Sequence, residues 1–139
     1  MPDVNAAIGL VQLGRLPVLR ARKQAIVRRY HDGLADLPSL TRLSSPSPDV
    51  FPFTYTVRVS ADRRDDLMDC LRTCGIGTSV EYIPNHLHPA FAEWATPLPI
   101  TEQVFGEIMS LPLYPELTDE EVTRVVETIA GILGQGDRS

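Results

Sequence analysis

Apolar and polar positions recur along the chain with two periods. In the first segment Val4, Ile8 and Val11 share one helical face with Ala7, and Leu19, Ile26, Val27, Tyr30, Leu34 and Leu37 continue an apolar stripe further on. This pattern predicts a long helix, capped by Asp3, that kinks or restarts at Pro17, where the ring removes an N–H and crowds the preceding turn. Residues 3–33 would extend about 45 Å as one helix, longer than so small a domain can cover, so the first half is expected to pack on something outside this chain. Next comes a Ser/Pro-rich loop over residues 44–49, after which Phe53, Tyr55, Val57 and Val59 alternate with Thr54, Thr56 and Arg58 as a half-buried strand should. A helix capped by Asp62 is predicted to carry Leu67, Met68, Leu71 and Cys74 on one face and to stop at Gly75. A second strand is expected over residues 78–83, and prolines at 84, 89, 97 and 99 then interrupt regular structure. Thr101 is positioned to cap a short helix with Val104, Phe105, Ile108 and Met109, followed by a third strand over residues 111–114. Thr118 and Glu121 have the spacing of a capping box before a helix that turns Val122, Val125, Val126, Ile129, Ile132 and Leu133 inward, with fraying expected from Gly134.

Strands and helices therefore alternate, and the predicted class is α/β in an α+β arrangement: a sheet of about three strands packed by helices, preceded by a long bent helical arm. The arm is assigned to residues 1–37 and the domain proper to residues 38–139. A chain of 139 residues can bury a real core, and 43% hydrophobic with 22% charged residues is ordinary for a globular protein. The net charge of −5 repels phosphate backbones and acidic membranes over most of the surface, which argues against nucleic acid as a partner. A local pocket for a diphosphate remains compatible with that average, since one or two Arg or His groups suffice. Cys70 and Cys74 are four residues apart in a predicted helix, where a bridge would constrain little, and are read as reduced thiols. No charged segment leads into an apolar signal core, and no apolar run reaches the roughly 18 residues of a membrane span, so a cytoplasmic location and no membrane partner are expected.

Candidate chemistry concentrates in residues 81–88. Glu81, Tyr82, His86 and His88 stand at the end of the second predicted strand and in a proline-bounded loop, where polar groups are exposed on restricted backbone. The same histidines are also readable as loop residues making ordinary surface hydrogen bonds. A metal shared by His86 and His88 is disfavoured, because His31 is the only other histidine and lies in a remote predicted helix. Lys23, the only lysine, lies in RARKQAIVRRY beside Arg20, Arg22, Arg28 and Arg29, and is read as part of a solvated basic face. Trp94 is read as an anchor of its loop to the core, with cover for a nucleotide base as the alternative.

Three segments, NAAIGLVQL from Asn5, GIGTSVEYIPNHLHPAF from Gly75 and SLPLYPEL from Ser110, closely resemble the C-terminal region of the PLP-dependent sugar aminotransferases of the DegT/DnrJ/StrS type. The resemblance covers nearly the whole chain and implies the small domain of a fold-type I aminotransferase, cut from something longer. It implies that the complete enzyme moves an amino group from an amino acid such as glutamate to a keto sugar nucleotide, using pyridoxal 5′-phosphate, as a homodimer. It further implies that the cofactor lysine and the other cofactor ligands lie in a missing large domain. The 139-residue chain alone would then neither hold PLP nor catalyse, and would supply no catalytic, cofactor-binding or metal residue. In such enzymes the histidine of a Y-x-P-x-H pattern contacts the sugar nucleotide, which points to His86, with Tyr82 and His88 as accessory contacts. Asp3 and Asn5 would border a turn that reaches the neighbouring subunit's cofactor phosphate, although helix capping and an ordinary exposed polar position are the preferred readings of both residues. SLPLYPEL is structural, with Leu111 and Leu113 pointing into the core and Pro112 and Pro115 fixing the backbone. The alternative is a free-standing, non-catalytic binding or dimerisation module derived from this family.

Overall fold

The computed structural model describes residues 2–44 and 46–136. Among the described residues four α-helices and three short strands follow in chain order: α1 (Asp3–Gly33), β1 (Leu40–Arg42), β2 (Tyr55–Val59), α2 (Ala61–Thr73), α3 (Pro99–Glu107), β3 (Ile108–Leu111) and α4 (Asp119–Gly136). The strands form one antiparallel sheet in the order β1-β2-β3. The predicted class is therefore observed, a mixed helical fold around a small three-stranded sheet.

β2 sits at the centre because its alternation suits a sheet with one buried face. Tyr55, Val57 and Val59 are buried, whereas Thr56 and Arg58 between them are partly exposed. Tyr55 lies opposite Leu111, Val57 opposite Met109 and Val59 opposite Leu40, so apolar side chains meet across both ladders. On the other face the Thr56 and Ser110 hydroxyls lie 3.3 Å apart, and Arg58 forms an ion pair with Glu107 at the end of α3. The core joins this sheet to Ile26, Val27, Tyr30 and Leu34 from α1 and the turn after it, Leu67 and Leu71 from α2, and Val122, Val125, Ile129 and Leu133 from α4. Tyr30 stacks at a tilt on Tyr55 with ring centroids 5.0 Å apart, and its hydroxyl donates to the Pro112 carbonyl at 3.0 Å. Burial pushes the Tyr55 phenol up to about 12 and that of Tyr30 higher still, so both remain neutral inside the core.

The helix ends follow local chemistry. At α4 the Thr118 hydroxyl accepts from the Glu121 N–H at 3.2 Å while the Glu121 carboxylate accepts from the Thr118 N–H at 2.8 Å, the expected capping box. Gly75 has φ +75° just past α2, a left-handed conformation that ends a helix and that glycine adopts without strain. Other starts shift by one to three residues from expectation. Pro2, Ser60 and Leu98 occupy the cap positions, so Asp3 and Asp62 act as first-turn acids and Thr101 lies inside α3.

Several expectations change. α1 does not restart at Pro17 but runs through it as one helix. The predicted strand over residues 78–83 reduces to a single bridge between Ser79 and Ser110, because the following backbone turns into left-handed geometry at Tyr82. The third strand is instead β1, a three-residue strand too short to show a period, paired to β2 at the edge of the sheet opposite that bridge. β3 begins three residues earlier than expected, at Ile108, which absorbs Ile108 and Met109 from the predicted helix. Phe53 is 75% exposed and stands outside β2. α4 continues to Gly136, past the fraying expected from Gly134, and residues 137–139 lie outside the described residues. The basic run is not uniformly solvated, since Arg22 and Arg29 bind Asp119 at 2.7 and 2.5 Å and Arg22 also donates to the Leu117 carbonyl.

The first half of α1 is different. Val4, Ile8, Leu10, Val11, Leu13 and Val18 are all exposed, Val18 by 73%. Its apolar side chains stand clear of the described core.

Candidate functional site

Between the Ser79 bridge and α3 the chain makes a proline-bounded loop containing two short 3-10 turns, Asn85–Leu87 and Pro89–Trp94. Pro84 begins the first turn, its carbonyl accepting from the Leu87 N–H at 2.9 Å, and the His88 carbonyl accepts from the Phe91 N–H at 2.9 Å in the second. Proline's fixed φ suits such tight turns and keeps the loop from extending the sheet. Tyr82 enters this loop with φ +49°, a conformation costing a non-glycine residue about 1–2 kcal/mol. Its ring is 80% exposed, so no burial of its own offsets that cost. Backbone strain of this kind gathers at binding sites, where surrounding structure holds it.

His86 is the most constrained polar side chain in the loop. It is 10% exposed, and its Nε2 lies 3.0 Å from Oε1 of Glu102 on α3. An ionised carboxylate only accepts, so Nε2 carries the proton of that bond and Nδ1 is left for other partners. The same Glu102 oxygen accepts from the Leu98 N–H at 3.2 Å. The hydrogen bond from His86, and secondarily that from Leu98, hold the Glu102 carboxyl below the usual carboxylate range.

Two clefts adjoin at this point. His86, Phe91, Trp94, Thr96 and Leu98 border one of about 370 Å³. Tyr82, Ile83, Ile100, Val104 and Phe105 border a more apolar one of about 420 Å³, and Pro84, Asn85 and Thr101 border both. The arrangement offers an imidazole held at one nitrogen, aromatic surfaces and threonine hydroxyls, a set able to grip an anionic or hydroxyl-rich ligand attached to a flat ring. His88 is exposed and borders neither cleft, and Glu81 turns away, accepting from the Ser79 hydroxyl at 3.1 Å. The structure therefore places His86 and Tyr82 on adjoining clefts that share Pro84, Asn85 and Thr101, and leaves His88 off both.

Trp94 corrects an expectation: at 70% exposure it does not anchor its loop to the core but stands on the cleft bordered by His86. The residue that sequence reasoning missed is Glu102. It lies four positions after the cap residue Leu98, one later than the capping-box spacing, so the available signal was an acid in the first turn of a proline-started helix. Among the described residues no group of three or more His, Cys, Asp or Glu is arranged to hold a metal, and His86 already spends one nitrogen on Glu102. Cys70 and Cys74 are free and exposed. Lys23 is partly buried with its ammonium 5.5 Å from the centroid of the Phe51 ring, a cation–π contact on α1 remote in the fold from the loop.

Residues 1–130 match the DegT/DnrJ/EryC1/StrS aminotransferase family, and the chain belongs to that family. Among solved structures it is similar to the aminotransferase TlmJ from Streptoalloteichus hindustanus, at 34% identity and TM-score 0.84, over 96% of this chain and 36% of TlmJ. It is similar also to the sugar aminotransferase CalS13 from Micromonospora echinospora, at 28% identity and TM-score 0.84, over 94% of this chain and 35% of the other. A third, NtdA from Bacillus subtilis, contains the bound cofactor PMP and matches at 29% identity and TM-score 0.88, over 96% of this chain and 33% of its own. The chain thus spans about a third of the length of the solved structures it matches.

Proposed function

We propose that this chain works as the small C-terminal domain of a PLP-dependent aminotransferase, which transfers an amino group from an amino acid, glutamate being the expected donor, to a keto sugar nucleotide. The family match and the constrained His86 at a cleft are the observations that carry this proposal. His86 binds the sugar nucleotide through Nδ1, which donates to a diphosphate oxygen when the ring is protonated and accepts from a sugar hydroxyl when it is not. Tyr82 presents an exposed side chain at the adjoining cleft, with His88 an outlying contact at most.

PLP itself does not fit the described residues. Schiff-base chemistry needs a lysine amine aimed into a polar cavity, and Lys23, the only lysine of the chain, lies on the arm with its ammonium over the Phe51 ring. Cofactor binding is accordingly assigned to a large domain supplied by the rest of the enzyme, with the first half of α1 packing against that domain and a second subunit. The domain limits follow the same logic, residues 1–37 forming the linking arm and 38–139 the small domain, although the core takes Ile26, Val27, Tyr30 and Leu34 from the arm.

The test is kinetic. In the complete enzyme, His86→Ala should raise KM for the sugar nucleotide about tenfold, leaving KM for the amino donor little changed. The purified 139-residue chain, given PLP and glutamate, should show no turnover. Turnover by the isolated chain, or an unaltered sugar-nucleotide KM in His86→Ala, would overturn the proposal.

A further inference from the structure

One oxygen of Glu102 closes a loop. Oε1 meets His86 Nε2 at 3.0 Å and the Leu98 N–H at 3.2 Å, so a single carboxylate fastens both ends of residues 86–98. The fastening is itself rigid, because the Glu102 N–H donates back to the Leu98 carbonyl at 2.9 Å within the first turn of α3. Between the fastened ends lie Phe91, Trp94 and Thr96, the residues that with His86 border the cleft of about 370 Å³. The loop's own backbone bonds are short-range turns within residues 84–95, and none of them ties the loop to α3.

We propose that Glu102 is a positioning residue of this cleft: by taking His86 Nε2 and the Leu98 N–H on one oxygen, it shapes the loop and presents His86 Nδ1 to the ligand's phosphate. This rests on the preceding assignment of His86 to the sugar nucleotide. Glu102 need not touch the ligand. Its roles are to prevent the imidazole from turning over, which would present the wrong nitrogen, and to supply a negative charge beside the ring when Nδ1–H donates to an anion. Its carboxyl, held below the usual range by these same two hydrogen bonds, stays charged at neutral pH to do so.

Two variants separate orientation from charge. Glu102→Gln keeps an Oε1 acceptor, whereas Glu102→Ala removes acceptor and charge together. Glu102 is partly exposed, so neither change should disturb the core. In the 15N-labelled chain, the wild type should show a slowly exchanging ring N–H at His86 Nε2 and a protected Leu98 amide; Gln should keep both signals and Ala should lose both. Inorganic pyrophosphate serves as the ligand probe, followed at the His86 Nδ1 resonance. Its affinity should fall about tenfold in Glu102→Ala, the loss expected when one charge-assisted hydrogen bond is no longer held in place, with Gln between. Unchanged His86 ring signals in Glu102→Ala, or equal or tighter pyrophosphate binding there, would overturn the positioning role while leaving His86 itself as a phosphate contact. A wild type whose Nε2 signal depends on Glu102 but whose Nδ1 ignores pyrophosphate would instead overturn the assignment of His86 to the phosphate.

Discussion

The two halves of α1 share one continuous helix and a similar density of apolar residues, yet only one half belongs to the core. In the second half Ile26, Val27 and Tyr30 are buried against β2 and α4, Gln24 donates to loop carbonyls at Ser47 and Val50, and Arg22 and Arg29 grip Asp119. In the first half Val4, Ile8, Leu10, Val11 and Leu13 point to more than one side and stay exposed. A helix apolar on several sides is built for burial on several sides. Helical propensity thus formed both halves alike, and only packing separated them: one holds this domain together, the other leaves its apolar side chains exposed.

The largest break in that comparison should come from paired truncations. Ile26→Ala removes a side chain that is fully buried and should cost about 2–5 kcal/mol in denaturant unfolding, whereas Ile8→Ala should stay within about 0.5 kcal/mol. Equal costs would mean that the first half is already packed in this chain. Gly33 tests the join more finely. A Cβ there would stand 2.9 Å from Val126 Cγ1 on α4, so Gly33→Ala should destabilise by about 1–3 kcal/mol, and Val126→Ala should restore part of the loss. The smallest effect concerns the ion pairs. Asp119 is held below its ordinary range chiefly by the Arg22 hydrogen bond and Glu107 by that from Arg58. A depressed carboxyl contributes stability that is present above its unfolded value and lost as pH falls through the folded one, so the loss begins below about pH 4. Unfolding midpoints measured against pH should therefore fall less steeply in acid for Asp119→Asn than for the wild type, and parallel curves would show that Asp119 adds nothing to the hold on α1.

Elements with a strong period were legible. The alternation of β2, the stripe of α4 with its Thr118–Glu121 box, and the stop at Gly75 all depend on neighbours in sequence, and the structure has them. Residues 78–83 were misread because Thr78, Val80 and Tyr82 mimic strand alternation, whereas Tyr82 adopts left-handed backbone and only Ser79 reaches β3. β1 went unseen for the opposite reason, since three residues between two turns carry no period and pair only because Val59 and Val57 wait opposite them. In the candidate site the YIPNH pattern singled out Tyr82 and His86, and both face adjoining clefts. It ranked His86 above His88, two residues away, but gave no sign of the Glu102 that holds His86.

The sequence by itself determined the helices with clear stripes and caps, the central strand, and the family to which the loop motif belongs, because each depends on residues within one or two turns of each other. Only the tertiary structure decided which half of α1 is core, which strand fills the sheet edge, and which histidine is held by Glu102. Those outcomes depend on contacts between residues far apart in the chain, as between Arg22 and Asp119 or β1 and β2, or on a loop returning to meet its own following helix, as between His86 and Glu102. No local period encodes such meetings, since they exist only once the chain has closed on itself.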